Sequence, residues 1–282
     1  MKTKPDITAE KAVDLTPYAE ALLESSRYRG LDIPLKTVLD LLEQEWPRHK
    51  HSKEALAEVR KKLHNIVASY LGEPDYAALS HDLDAAFAAH DPQAIKAVCR
   101  QALAAHASTR ERLPILDTFY PRLFAVTGMP ATILDLACGL NPFALPWMGL
   151  PTSVQYHAID LNCPRVDAIN LFFTLQGMAP LAVHDDFLLN PPAIKADVAF
   201  LFKEAHRLEQ RQHDCNRPLW QALDVHWLLV SLPTASLSGR HNLVEKHRTL
   251  VHDTLAGMSW PVQEVLFEDE MVFCIEKGAV EP

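Results

Sequence analysis

The segment Ile133-Leu134-Asp135-Leu136-Ala137-Cys138-Gly139-Leu140-Asn141-Pro142 constrains the fold more than any other part of the chain. It reads as a buried apolar strand, with an acid near its end, running straight into a tight glycine turn. Gly139 lets the backbone approach a ligand closely. Downstream the pattern recurs as Tyr156-His157-Ala158-Ile159-Asp160, a second strand ending in an acid. Two such strand ends predict a nucleotide-cofactor turn and an adenosine-containing ligand.

From residue 131 onward the chain alternates strands with longer segments. Strands are expected at Ile133 to Leu136, Val154 to Ile159, Ala196 to Phe202, His226 to Leu232, Val262 to Phe267 and Met271 to Ile275. The last two form a hairpin across Glu268-Asp269-Glu270. A mostly parallel sheet with an antiparallel end follows, the architecture of a Rossmann-like class I methyltransferase.

The first hundred or so residues read differently. Leu56, Val59, Leu63, Ile66, Val67 and Tyr70 fall at helical spacing, and Gly72-Glu73-Pro74 ends that helix. Further helical patterns cover Leu35 to Glu45, Tyr76 to Ala89 and Ile95 to His106, the last opening on Asp91-Pro92 as cap and first-turn proline. Ser108-Thr109-Arg110-Glu111 has capping-box form, with Ser108 facing the first-turn amides and Glu111 reaching back. The expected organisation is an all-helical N-terminal domain over 1–106 and an α/β domain over 107–282, joined without a Gly/Ser linker.

With 282 residues, 48% hydrophobic and 22% charged, the chain has the composition of a soluble globular protein. It has no apolar run long enough to span a membrane and no apolar leader after Met1, so no membrane association and a cytoplasmic location are expected. Its five cysteines are odd in number, scattered and form no C-x-x-C pair, so neither a disulfide frame nor a zinc finger is indicated. The net charge of -9 argues against a protein that coats nucleic acid with its whole surface. The charge is uneven, however. Arg48, Lys50, Lys53, Arg60, Lys61 and Lys62 face only Glu54 and Glu58 between Trp46 and His64, whereas Val262 to Pro282 carries six acids and only Lys277. A basic N-terminal face on an acidic body is compatible with local docking on RNA and equally with a solvated helix face.

In an open parallel sheet the ligand lies beyond the carboxyl ends of the strands. Asp160 is placed to accept hydrogen bonds from both ribose hydroxyls, with the backbone of Ala137 to Gly139 beside the sugar and the amino-acid tail. Asp186, in His184-Asp185-Asp186-Phe187, is placed to bond an adenine amino group, with Phe187 beside the ring. No metal site is expected: His49-Lys50-His51 and His206 with His213-Asp214-Cys215 match no standard spacing. Ser231, Ser236 and Ser238 lack a nucleophile elbow, and Trp227 to Leu232 is core.

The run His106 to Leu113, then Leu116-Asp117-x-Phe119-Tyr120, Asp135 to Pro142 and Pro146-Trp147-Met148-Gly149-Leu150-Pro151 together resemble the aminoglycoside-resistance 16S rRNA methyltransferases. The likeness extends from Ser26-Arg27-Tyr28 and Lys62-Leu63-His64 to Pro233-Thr234-x-Ser236-Leu237 and Ile275-x-Lys277. It implies S-adenosylmethionine as cofactor, methylation of guanine N7 in the decoding site, and a helical domain docking on the small ribosomal subunit through Arg48, Lys50, Lys53, Arg60, Lys61, Lys62 and Arg240. Carried over, it places Tyr70, His106, Ala107, Ser108, Arg112, Ala137, Gly139, Asp160, Asp186, Phe187 and Phe202 around the cofactor. Arg112 is suited to hold the methionine carboxylate through its planar fork.

The N7 lone pair is nucleophilic at neutral pH, so no general base is nominated, and catalysis reduces to positioning and electrostatics. Lys203 and Glu209 match the family's active-site strand end and following segment, where they orient the base or steady its charge. The chain departs from the family at Glu204, Ala205 and His206, where an aliphatic stretch with Leu-Pro is usual, and at Ala235, Asn242, Leu243 and Val244, where a basic residue and Lys-Gly-Met are usual. Those departures leave two alternatives open: a class I methyltransferase of another RNA or small-molecule acceptor, and a non-catalytic ribosome-binding relative. A monomer is expected.

Overall fold

The computed structural model describes residues 13–67, 72–235 and 242–278. Tyr70 and Arg240 lie outside the described residues, as do Ser236, Leu237 and Ser238. Seven strands form one sheet: β1 (Thr132–Leu136), β2 (Gln155–Asp160), β3 (Ala182–His184), β4 (Ala196–Phe202), β5 (Val225–Pro233), β6 (Val262–Leu266) and β7 (Glu270–Glu276). Their order is β3-β2-β1-β4-β5-β7-β6. The first five run parallel, and β7 lies antiparallel between β5 and β6. The expected class I methyltransferase sheet and its terminal hairpin are both present. The edge strand β3 has three residues, too few for an alternating pattern to register in the sequence.

Strand alternation sorts the core onto two faces. Val198, Phe200 and Phe202 of β4 pack on one side with Phe119, Phe143, Phe172 and Phe173. Ala199 and Leu201 face the other side with Trp220, Leu228 and Phe273. Helices cover both faces: α4 (Tyr76–Ala88), α5 (Pro92–Ala105), α6 (Ala107–Arg110), α7 (Leu116–Thr127), α8 (Cys163–Leu175), α9 (Ala205–Arg211), α10 (Asn216–Ala222) and α11 (Val244–Leu255).

Ahead of these lie α1 (Thr16–Leu23), α2 (Leu35–Glu45) and α3 (Ser52–Val67). They enclose a separate core of Leu22, Val38, Leu41, Leu42, Val59 and Leu63. The apolar faces of α4 and α5 do not join it; Leu79, Leu83, Cys99 and Leu103 are buried against the sheet's core. The division between hydrophobic cores therefore falls between Val67 and Tyr76, earlier than the boundary at 106 that composition suggested.

Asp91 caps α5 as expected, its carboxylate accepting from the Gln93 amide at 2.9 Å. The capping box at Ser108 does not form. Helix α6 is a single turn capped at His106 with no side-chain bond. Ser108 Oγ instead meets His106 Nδ1 at 3.0 Å, and Glu111 pairs with Lys203. A long-range partner with full charge outcompetes the local amide for Glu111.

Candidate active site

The register of β1 on β2 sets Leu136 beside Ile159. The chain then bonds back through Cys138 N to the Ile159 carbonyl at 3.0 Å and through Gly139 N to Asp160 Oδ2 at 2.9 Å. Gly139 sits at φ +54, and Ala137 and Lys203 take φ 50 and 57 at the ends of β1 and β4. A left-handed residue at a strand end stops the ladder and turns the backbone toward the space above the sheet.

That space is a cavity at the carboxyl ends of β1, β2 and β4. Its walls include Ala137, Gly139, Asp160, Asp186, Phe187 and Phe202, with His106, Ser108 and Arg112 at one end. Leu31, Ile33, Ile66 and Val67 of the helical domain close over it. Among the described residues, the expected cofactor set is thus brought together except for Ala107, which does not line the cavity.

Asp160 is 6% exposed. Besides Gly139 N it accepts from Asn162 N at 3.0 Å and Arg165 Nη1 at 2.8 Å. Those bonds leave one of a carboxylate's roughly four acceptor positions open, enough for one ribose hydroxyl rather than two. Arg165 continues into a pair with Glu73 and a bond to Tyr76. Sequence reading missed Arg165; the available signal was a basic residue in the first turn of a helix whose cap, Asn162, follows a strand-end acid.

Asp186 is placed differently from expectation. It accepts both arms of the Arg211 fork, at 3.0 and 2.6 Å, Thr37 Oγ1 at 2.8 Å and Leu188 N at 3.2 Å. Its acceptor positions are full, so it bonds an adenine amino group only by releasing a partner. As built, it ties α2 and α9 to the cavity wall.

Arg112 is also committed. Nε and Nη2 grip Glu270 at 2.8 and 2.6 Å, Nη2 reaches Ser231 Oγ at 3.3 Å and Nη1 reaches Asn141 Oδ1 at 3.0 Å. The guanidinium lies over Phe119 and Phe202, 4.8 and 4.4 Å from their ring centroids. The fork expected for a methionine carboxylate thus holds Glu270, and one of the five N–H groups remains. Burial by itself raises the Glu270 carboxyl, but Arg112 and Lys203 outweigh it and hold that group below the ordinary range. Burial pushes the Asp135 carboxyl up to about 7, although Asn141 and Tyr156 donate to it at 2.9 and 2.8 Å. His106, lining the cavity, is pushed down to about 3 by burial and by Arg165, so its imidazole is neutral.

Lys203 does not line the cavity. Its ammonium pairs with Glu111, reaches the Ser108 carbonyl at 3.3 Å and lies 3.5 Å from Glu270. Glu209 is outside the site as well. It organises the turn into α10, accepting from Asp214 N at 2.7 Å and Asn216 Nδ2 at 2.7 Å. A carboxylate facing the free amides ahead of a helix caps that helix, so proximity in sequence to an active-site strand did not carry Glu209 to the active site.

On the helical domain, Arg48, Lys50, Lys53, Arg60 and Lys61 are exposed. Lys62 is turned inward, 18% exposed, between Glu45 at 2.8 Å and the Arg211 carbonyl at 3.1 Å. It joins the two domains rather than the basic face.

The family model of the ribosomal RNA methyltransferase FmrO matches residues 24–274. A protein of Frankia casuarinae named 16S rRNA (guanine(1405)-N(7))-methyltransferase is 32% identical, over 95% of this chain and 95% of its own. One of the same name from Serratia marcescens is 36% identical, over 78% of this chain and 81% of its own. Among solved structures, the 16S rRNA methyltransferase RmtF in complex with S-adenosyl-L-homocysteine superposes with a TM-score of 0.76 at 28% identity, covering 94% of this chain and 99% of that one. An rRNA methylase from Escherichia coli does so with 0.74 at 30% identity, over 94% and 100%. With a match across most of its length and a cavity where that architecture holds its cofactor, this chain belongs to the FmrO family of ribosomal RNA methyltransferases.

Proposed function

We propose that the protein is an S-adenosylmethionine-dependent methyltransferase that acts on guanine N7 in the decoding site of 16S rRNA within the small ribosomal subunit, giving aminoglycoside resistance. The observation that carries this reading is the cavity itself, which brings a strand-end carboxylate, a left-handed glycine turn and a buried arginine together beneath a helical domain with a basic outer face.

The donor set fits the cofactor. Asp160 has an acceptor position left for a ribose hydroxyl, Phe187 offers an apolar wall for the purine, and the remaining N–H of Arg112 with Ser108 suits the amino-acid end. When bound, S-adenosylmethionine supplies an electrophilic sulfonium methyl, which the N7 lone pair takes while the positive charge passes from sulfur to the purine.

No proton is removed at N7, so the site needs no base; His106, pushed down to about 3, is a poor proton acceptor, and Lys203 is held in an ion pair with Glu111. An isolated ammonium beside a purine gaining positive charge would oppose transfer. Lys203 avoids this by sitting against Glu111 and Glu270, and its role is to hold the Ser108 carbonyl and the end of β4 in place. Arg48, Lys50, Lys53, Arg60 and Lys61 supply phosphate contacts, and the protein works as a cytoplasmic monomer.

Incubation of the purified protein with tritiated S-adenosylmethionine and small subunits, followed by nuclease mapping, tests the proposal. Label at N7 of the decoding-site guanosine is the expected result. Label elsewhere, or none with cofactor binding intact, overturns the assigned target.

A further inference from the structure

Behind the cavity wall, where the helical domain meets the sheet, three side chains of different chemistry converge. Asp32 lies in the loop between α1 and α2, Cys163 begins α8, and His184 ends β3. One ligand atom of each lies within 4.8 Å of the others. The Cys163 thiol also stands 3.9 Å from Asp167 Oδ2, one turn along α8. We propose that Asp32, Cys163 and His184 form a binding site for a soft divalent metal ion of the zinc class, with a solvent water as fourth ligand.

The donor types select the ion. Thiolate, imidazole and carboxylate together suit zinc, whereas calcium and magnesium take all-oxygen shells. His184 Nε2 lies 3.1 Å from the Leu161 carbonyl. Donation to a backbone carbonyl is the outer bond that metal-bound histidines commonly make, and it leaves the Nδ1 lone pair for the ion. Among the described residues no lysine or arginine pairs with Asp32, so a cation there answers a carboxylate that otherwise faces a thiol and an imidazole. On binding, the thiol proton leaves to solvent and sulfur coordinates as thiolate. Tetrahedral zinc sets its ligands roughly 3.3 to 3.8 Å apart, so side-chain adjustments of about 1 Å close the shell.

The position gives the ion a task. Leu31 and Ile33, on either side of Asp32, line the cofactor cavity, as do Asn162 before Cys163 and Asp185 after His184. A metal held by these three residues pins the α1–α2 loop to the ends of β2 and β3. It thereby fixes one wall of the cavity without touching what binds inside it.

The test uses the full-length protein, stripped with a chelator and titrated with zinc against a chromophoric competitor. One equivalent is taken up, and His184→Gln weakens uptake by ~10-fold or more. Cobalt in place of zinc gives a thiolate-to-metal charge-transfer band, which Cys163→Ser abolishes while the circular dichroism of the fold is kept. The cobalt spectrum of the unaltered protein decides the matter even if that variant does not fold. No uptake against the competitor overturns the proposal. So does uptake that lacks the thiolate band, which moves the ion to a cluster such as Glu209, His213 and Asp214. Neither readout depends on methyl transfer.

Discussion

At the scale of single residues, the site is governed by charges that have left water and found each other. Glu270 is 2% exposed and serves Arg112 and Lys203 at once. Glu270→Gln leaves two buried cations short of their counter-charge, and the expected loss is roughly 3 to 5 kcal/mol in urea unfolding, with weaker cofactor binding by calorimetry. Because the Glu270 carboxyl is held below its ordinary value, its contribution is present above the unfolded carboxylate range and fades as pH falls through it. The histidines work in the same direction for a different reason. His106 and His206 are both pushed down to about 3 by burial. The unfolded chain therefore binds protons that the fold refuses, and stability declines as pH drops from 6.5 toward 3. His206, whose Nδ1 is buried without a hydrogen-bond partner, gives the cleaner test. The stability of His206→Asn relative to the parent should rise on acidification through that window, and a parallel pair of curves would refute the assignment.

At the scale of elements, local signals succeeded where the partner was local. The Asp91 cap is visible in sequence because its acceptor and the amide it meets are two residues apart. Asp91→Ala is expected to cost about 1 kcal/mol, read as a shift in denaturation midpoint with unchanged m-value. Ser108 and Glu111 carry an equally good local pattern, and it failed because Lys203, 92 residues further on, takes Glu111. Glu209 failed in the opposite sense: its neighbours Asp214 and Asn216 claimed a residue expected to face the substrate. The basic helix α3 is divided in the same way. Lys61 projects outward while Lys62 turns in to Glu45 and Arg211. Arg60→Ala with Lys61→Ala should weaken small-subunit binding and reduce its salt slope by about 1 per lost phosphate contact. Lys62→Ala should instead lower thermal stability and leave that slope nearly unchanged.

At the scale of the whole molecule, the N-terminal helices supply part of the cavity wall. Buried Thr37 and partly exposed Asp40 of α2 meet the buried pair Asp186 and Arg211. Thr37→Val removes a donor to a buried carboxylate, about 1 to 3 kcal/mol, and should weaken cofactor binding although Thr37 lies outside the cavity lining. Unchanged calorimetric affinity would separate the two domains energetically. Much of this architecture was legible in the chain. The continuous apolar runs, the turn Ala137 to Gly139 and the acid Asp160 determined a parallel sheet with a cavity at its carboxyl ends, because strand hydrophobicity and backbone geometry are local properties. Local chemistry also determined the Asp91 cap of α5. Only the tertiary structure decided which charges are spent on the fold and which remain for a ligand: Arg112 on Glu270, Asp186 on Arg211, and Lys203 on Glu111. The physical reason is that a buried charge takes whatever opposite charge the packing brings within reach, and that partner lies tens of residues away, where no spacing rule along the chain can point to it.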